Sequence, residues 1–174
     1  MRRSAAGFTL IEAITAMTVL ALGMAIGLPS FRYSLERQRL ASTMHLVSGQ
    51  LAMARMAAIT HSIPVSVCPA QGNGICTGNW DWTDGWLVYR DPQRQPQPAS
   101  ATHILRQESA PFPRSVTVLS SSGRKAIRFQ PDGRSGGSNI KFRICIDGRL
   151  RGEVNVNNSG RVRSQRTAGT QPCG

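Results

Sequence analysis

Acidic residues are scarce in this chain, and signatures of catalysis are missing from it. Only 9 Asp and Glu stand among 174 residues, and beyond the N-terminal apolar run none forms a paired pattern beside a histidine, as general acid-base chemistry would require. There is no Gly-x-Ser-x-Gly elbow and no phosphate-binding loop, which removes the common routes to a serine nucleophile and to nucleotide chemistry. No Cys-x-x-Cys spacing occurs, so zinc and thioredoxin-like sites are not expected. His45, His61 and His103 are isolated. Asp81, Asp84 and Asp91 lack the terminal Glu of a calcium loop and read as solvated turn acids. The chain reads as a non-enzyme that needs neither metal nor cofactor.

One long apolar run dominates what is present. From Phe8 to Leu28 the sole charge is Glu12, and at about 1.5 Å per residue the run can cross a hydrocarbon core of about 30 Å. Arg2 and Arg3 precede it, and Gly7 stands at its start. A secretory peptide is cut after its apolar region, whereas the small residue here lies before it. A carboxylate in hydrocarbon costs at least about 2.5 kcal/mol, so Glu12 needs a partner. Gly23 and Gly27 have a spacing that lets helices approach closely, and Pro29 removes one backbone donor, which predicts a kink or local melt there.

Gly7-Phe8-Thr9-Leu10-Ile11-Glu12 resembles the processing site of type IV pilins and type II secretion pseudopilins. The resemblance implies removal of a leader, residues 1–7, by prepilin peptidase, N-methylation of Phe8, and retention of residues 8–29 as membrane anchor and assembly helix. It also implies that Glu12 pairs with a Phe8 amine, that of a neighbouring subunit in a filament. The expected location is the bacterial inner membrane, single-pass with the globular part in the periplasm, and the pilus or cell surface after assembly.

Residues 30–62 read as an amphipathic continuation, with Leu35, Leu40, Met44, Val47, Leu51, Ala54 and Ala58 on one face and the nearby methionines in the core. Beyond it, extended segments alternate with turns at 63–68, 85–90, 104–107, 116–119, 126–130, 139–146 and 154–156, which predicts an antiparallel β domain over residues 63–174. The proline-rich stretch 93–100 and the stretch 132–137 read as mobile loops. Trp80, Trp82 and Trp86 are expected to pack in the core or at a sheet edge. All four cysteines lie in this part. Of the three possible pairings, those expected are Cys68 with Cys76, around the Gly72-Asn73-Gly74 turn, and Cys145 with Cys173, tying the chain end to a strand.

The net charge is +12 and the cations are nearly all arginine, whose planar fork grips phosphate in pairs of hydrogen bonds. The stretches Trp80 to Asp91 and Ala126 to Gly133 resemble strand signatures of the FimT and GspH group of minor pilins. The stretch Asn157 to Arg166 resembles the Gly-Arg-x-Arg motif of DNA-binding FimT proteins, which take part in natural transformation; the motif falls on Gly160, Arg161 and Arg163. Extended, these two arginines project to one side about 6.6 Å apart, suited to neighbouring phosphates. Gln165 and Arg166 can extend the contact, and Lys141, Arg143, Arg149 and Arg151 can widen the basic patch.

The fold class expected is α+β, a type IV pilin-like fold with a long N-terminal helix, membrane-spanning in its first half, packed on an antiparallel sheet. The expected function is non-specific binding of double-stranded DNA by a minor pilin, with other pilin subunits, prepilin peptidase and the inner membrane as further partners. The alternative is a structural minor pilin or GspH-like pseudopilin without DNA binding.

Overall fold

The computed structural model describes residues 9–109, 111–137, 139–169 and 171–173, so Gly7 and Phe8 lie outside the described residues. Helix α1 spans Leu10–His61, and the strands are β1 Val65–Pro69, β2 Gly85–Arg90, β3 Ile104–Ser109, β4 Val116–Ser120, β5 Ile127–Phe129, β6 Ile140–Ile146, β7 Arg149–Val156 and β8 Val162–Arg166. The chain divides into two compact units, one ending at Gln38 and the other beginning at Arg39.

In the first unit the helix exposes its apolar side chains, Leu10 at 79 % and Ile26 at 78 %, and it is long and apolar enough to cross a membrane. Thr9 and Glu12 cap its start reciprocally. The Thr9 amide donates to Glu12 Oε2 at 2.9 Å, and the Glu12 amide donates to Thr9 Oγ1 at 3.4 Å, an arrangement that satisfies donors a helix start leaves open. Helical structure continues unbroken through Pro29, so the expected local melt is absent; proline removes one hydrogen bond, and the bonds on either side maintain the helix.

In the second unit the helix buries Leu40, Met44, Val47, Leu51, Ala54 and Ala58, together with the polar Thr43 and Gln50. These follow the three- and four-residue steps of one helix face. Met56 is 61 % exposed, against the expectation that all methionines here are core, because it falls off that face. The strands form two four-stranded sheets rather than one, in the orders β3-β2-β1-β5 and β4-β6-β7-β8. Every strand pairing is antiparallel. A shared core joins the helix to Val65, Val67, Ile127 and Phe129 of the first sheet and to Val118, Phe142, Ile144, Val154 and Val156 of the second. Trp82 stands edge-on to Phe142 at 4.9 Å, and Trp86 tilts against Phe112 at 5.6 Å. Trp80 is half exposed.

The back of the first sheet is also covered, by a second cluster of Cys68, Ala70, Cys76, Leu87 and Tyr89. The Cys68–Cys76 disulfide closes this cover, with Cα atoms 5.6 Å apart. The proline-rich loop is tied down rather than loose: Gln97 exchanges hydrogen bonds with the Cys76 backbone, and the Gln95 amide donates to Asp91 Oδ1 at 2.6 Å. Asp91 itself is buried, contrary to its expected place among solvated acids. Arg128 Nε and Ser66 Oγ both donate to its Oδ2, at 2.6 and 2.7 Å, and a buried charge persists only when so partnered. Burial, reinforced by the Asp91 charge, raises the pKa of the Tyr89 phenol above its usual value.

Candidate nucleic-acid interface

The second sheet is the one open to solvent on its outer side, and its register decides which cations meet there. Strand β6 alternates inward Ile140, Phe142 and Ile144 with outward Lys141 and Arg143, as pleating requires. Its antiparallel partner β7 sets Asn155 opposite Lys141 and Glu153 opposite Arg143, and β8 sets Arg163 opposite Asn155 and Gln165 opposite Glu153. Two cross-strand rows result, Lys141-Asn155-Arg163 and Arg143-Glu153-Gln165, each about 9.6 Å from end to end across three strands.

Strand β8 is where sequence and structure part most. The extended segments expected from sequence end at 154–156, yet the basic stretch beyond them is an ordered edge strand, reached from β7 through a tight turn. Gly160 N donates to Asn157 O at 2.8 Å and Arg161 N to Asn157 Oδ1 at 2.9 Å. Gly160 is buried at φ +76°, and a Cβ there would stand 2.0 Å from the Gly133 carbonyl oxygen. The residue is therefore needed for close backbone approach as well as for its left-handed conformation. Arg55 Nε, from the helix, donates to that same carbonyl at 2.9 Å, so α1 helps hold the turn that leads into Arg161. The stretch 132–137 expected to be mobile is part of this clamp, since Ser135 donates through its amide to Asn158 O and through its hydroxyl to Asn157 O.

The nine residues proposed from sequence are separated by this pleating. Arg163 and Gln165 share the outer side with Lys141 and Arg143, and Arg161, one step before β8, continues the same alternation. Arg166 lies on the other side, opposite Gly152, where an added Cβ would meet Leu40 and Met44 at 3.0 and 3.1 Å. Arg149 pairs with Ile146 and so leaves the outer row. Arg151 sits at an irregularity between Ile144 and Cys145 and packs against the Gly169 backbone. The sequence reading also passed over Asn155 and Glu153; the polar alternation of Arg151, Glu153 and Asn155 was the available signal, interrupted at Leu150-Arg151 by the bulge.

The chain end borders this face. Cys145 and Cys173 form the second disulfide, with Cα atoms 5.9 Å apart; Cys173 N donates to Gly148 O at 3.1 Å and Leu150 N to Gln171 O at 3.0 Å. Among the described residues no cluster of three His, Cys, Asp or Glu could hold a metal ion.

A long apolar N-terminal helix joined to antiparallel sheets is the architecture of a pilin-type subunit. Residues 43–160 match the model of the family described as type II transport protein GspH, and residues 2–28 match the prokaryotic N-terminal methylation motif. The chain belongs to the GspH family of minor pilins and pseudopilins. Crystal structures of the type IV minor pilin FimU of Pseudomonas aeruginosa (strain PAO1) share the fold. One, in space group P21, has a TM-score of 0.62 and 18 % identity over 78 % of this chain and 98 % of that one; a second, in space group P65, has a TM-score of 0.56 and 16 % identity over 75 % and 99 %. No curated protein matches the chain. The family is structural rather than enzymatic, and its methylation motif implies prepilin peptidase processing and association with other pilin subunits.

Proposed function

We propose that this protein is a FimT-like minor pilin that binds extracellular double-stranded DNA without sequence preference during DNA uptake for natural transformation. The observation that carries the reading is the pair of cross-strand rows on the second sheet. They present Lys141, Arg143 and Arg163 beside the neutral donors Asn155 and Gln165, side-chain types that donate to the phosphate oxygens of a nucleic-acid backbone. An ordered strand loses less freedom on binding than a loose tail would. In this reading the leader is removed after Gly7, Phe8 is N-methylated, Glu12 serves assembly, and the globular part faces the periplasm before the subunit joins a pilus.

The test is titration of the full-length protein in neutral detergent micelles with unrelated duplexes. Similar affinities that fall steeply with salt are expected, and no binding at low salt would sink the reading. One observation favours the second reading, a purely structural minor pilin or pseudopilin: β8 is an edge strand, and charged side chains at an edge also prevent pairing with another chain.

A further inference from the structure

Among the described residues the two cross-strand rows contain one carboxylate, Glu153, and it is held against the cations it would be expected to weaken. Its side chain is 10 % exposed; it accepts from Lys141 Nζ at 3.2 Å and from Gln165 Nε2 at 2.9 Å, and it stands opposite Arg143 in the strand register. Lys141, Arg143 and Glu153 line a depression of about 540 Å³. Ser121 and Ser122 stand on one rim, and the disulfide-tethered segment at Pro172 forms the other. Cations, hydroxyls and an ordered wall thus converge on one concavity over β6 and β7.

We propose that this depression is a phosphodiester subsite of the DNA-binding face, and that Glu153 holds the place of the phosphate until DNA arrives. The inference rests on the DNA-binding reading above and adds a residue that lowers affinity. Lysine carries three donors and no acceptor, so Lys141 can turn from the carboxylate to a phosphate oxygen. Lys141, Arg143 and Glu153 together carry one net positive charge, and neutralising Glu153 makes it two. A phosphate entering the wild-type site must meet a fixed negative charge, which keeps each contact weak and readily reversed.

The experiment uses the full-length protein in neutral detergent micelles and a fluorescein-labelled duplex read by anisotropy. Glu153→Gln preserves shape and an acceptor for Gln165, and should tighten binding about two- to fivefold at low salt, the range of a partly exposed charge pair. Lys141 meets the same phosphate in both proteins, so the slope of log affinity against log salt should change by less than about 0.9, the value of one phosphate contact. Asp147→Asn changes the net charge equally, but in the exposed β6–β7 turn about 20 Å along the strand from Lys141; screening over that distance should leave affinity within about 1.5-fold. Lys141→Gln added to Glu153→Gln should cancel the gain. A Glu153→Gln variant that binds no better than a wild type that does bind overturns the subsite, and so does an equal gain from Asp147→Asn. Should Glu153→Gln fail to fold, Ser122→Glu, an exposed rim change, should weaken binding about two- to fivefold, and unchanged binding would be equally fatal. A wild type that does not bind DNA at all instead overturns the functional reading itself.

Discussion

The two sheets of the globular unit share one core and differ in what lies behind them. The first is covered on both sides: the helix packs on one face, and the Cys68–Cys76 loop with Leu87 and Tyr89 closes the other. The second has the helix on one face, and its outer face, bordered at one end by the Cys145–Cys173 segment, carries Lys141, Arg143, Asn155, Arg163 and Gln165 in register. Even the polar groups differ in use. Asp91 is buried behind the first sheet and fully engaged with Arg128, Ser66 and the Gln95 amide, whereas Glu153 borders an open depression. One sheet thus spends its second face on stability, and the other leaves much of it to solvent.

If that division is right, inward and outward substitutions on the second sheet should have opposite signatures. Phe142→Ala removes a fully buried ring in contact with Trp82 and should cost about 3–5 kcal/mol, measured by denaturant unfolding of the oxidised protein. Asn155→Ala, in the same sheet facing outward, should stay within about 0.5 kcal/mol. Equal losses at the two positions would break the comparison.

The disulfides test the covers. Replacing Cys145 and Cys173 by Ser opens a span of 28 residues and should cost about 3.5 kcal/mol; the same change at Cys68 and Cys76, a span of 8, should cost about 2.5 kcal/mol. Thermal unfolding of the two double variants would check the order. Only loss of the Cys145–Cys173 pair is expected to loosen the chain end beside the depression, raising amide exchange at Leu150 and at position 173.

A smaller effect on stability, but a larger one on binding, is expected from Arg161→Gln with Arg163→Gln. Removal of two phosphate contacts should flatten the salt slope of DNA affinity by about 1.8, while unfolding remains within about 0.5 kcal/mol of wild type. Arg166→Gln, on the opposite side of β8, should change the slope less than Arg163→Gln does. Equal effects at 163 and 166 would mean that the pleat does not select the contacts.

The smallest effect is the pH response of the covered sheet. Because the Tyr89 phenol has a raised pKa in the folded protein, its contribution to stability is fully present below the unfolded-state value of about 10 and is lost as pH rises through the folded-state value. Tyr89→Phe should flatten the loss of stability at alkaline pH, measured by urea unfolding from pH 8 upward. An unchanged alkaline profile would remove Tyr89 from the account.

Much of this was determined by local sequence. The apolar run before Pro29, the helix face from Leu40 to Ala58 and the alternation in Ile140 to Ile146 could be read directly, because helix and strand periods are properties of the chain itself; the cysteine pairings were one choice among three, and the tertiary structure decided it. Strand β8 could not be read directly. Val162-Arg163-Ser164-Gln165-Arg166 holds a single apolar residue, and it becomes a strand because β7 offers a ladder and the clamped Asn157–Gly160 turn aims the chain along it; strand preference depends on such neighbours more than on the residues themselves. The same holds for the candidate site. Composition showed an excess of arginine but not which arginines share a face, since that depends on register, and register placed Arg163 with Lys141 while turning Arg166 towards the helix side. Burial of Asp91 and the close approach at Gly160 likewise arise only when distant segments meet, Arg128 on β5 in the first case and Gly133 in the second. Sequence alone determined the elements with a period of their own, and tertiary structure decided the contacts whose partners lie far along the chain.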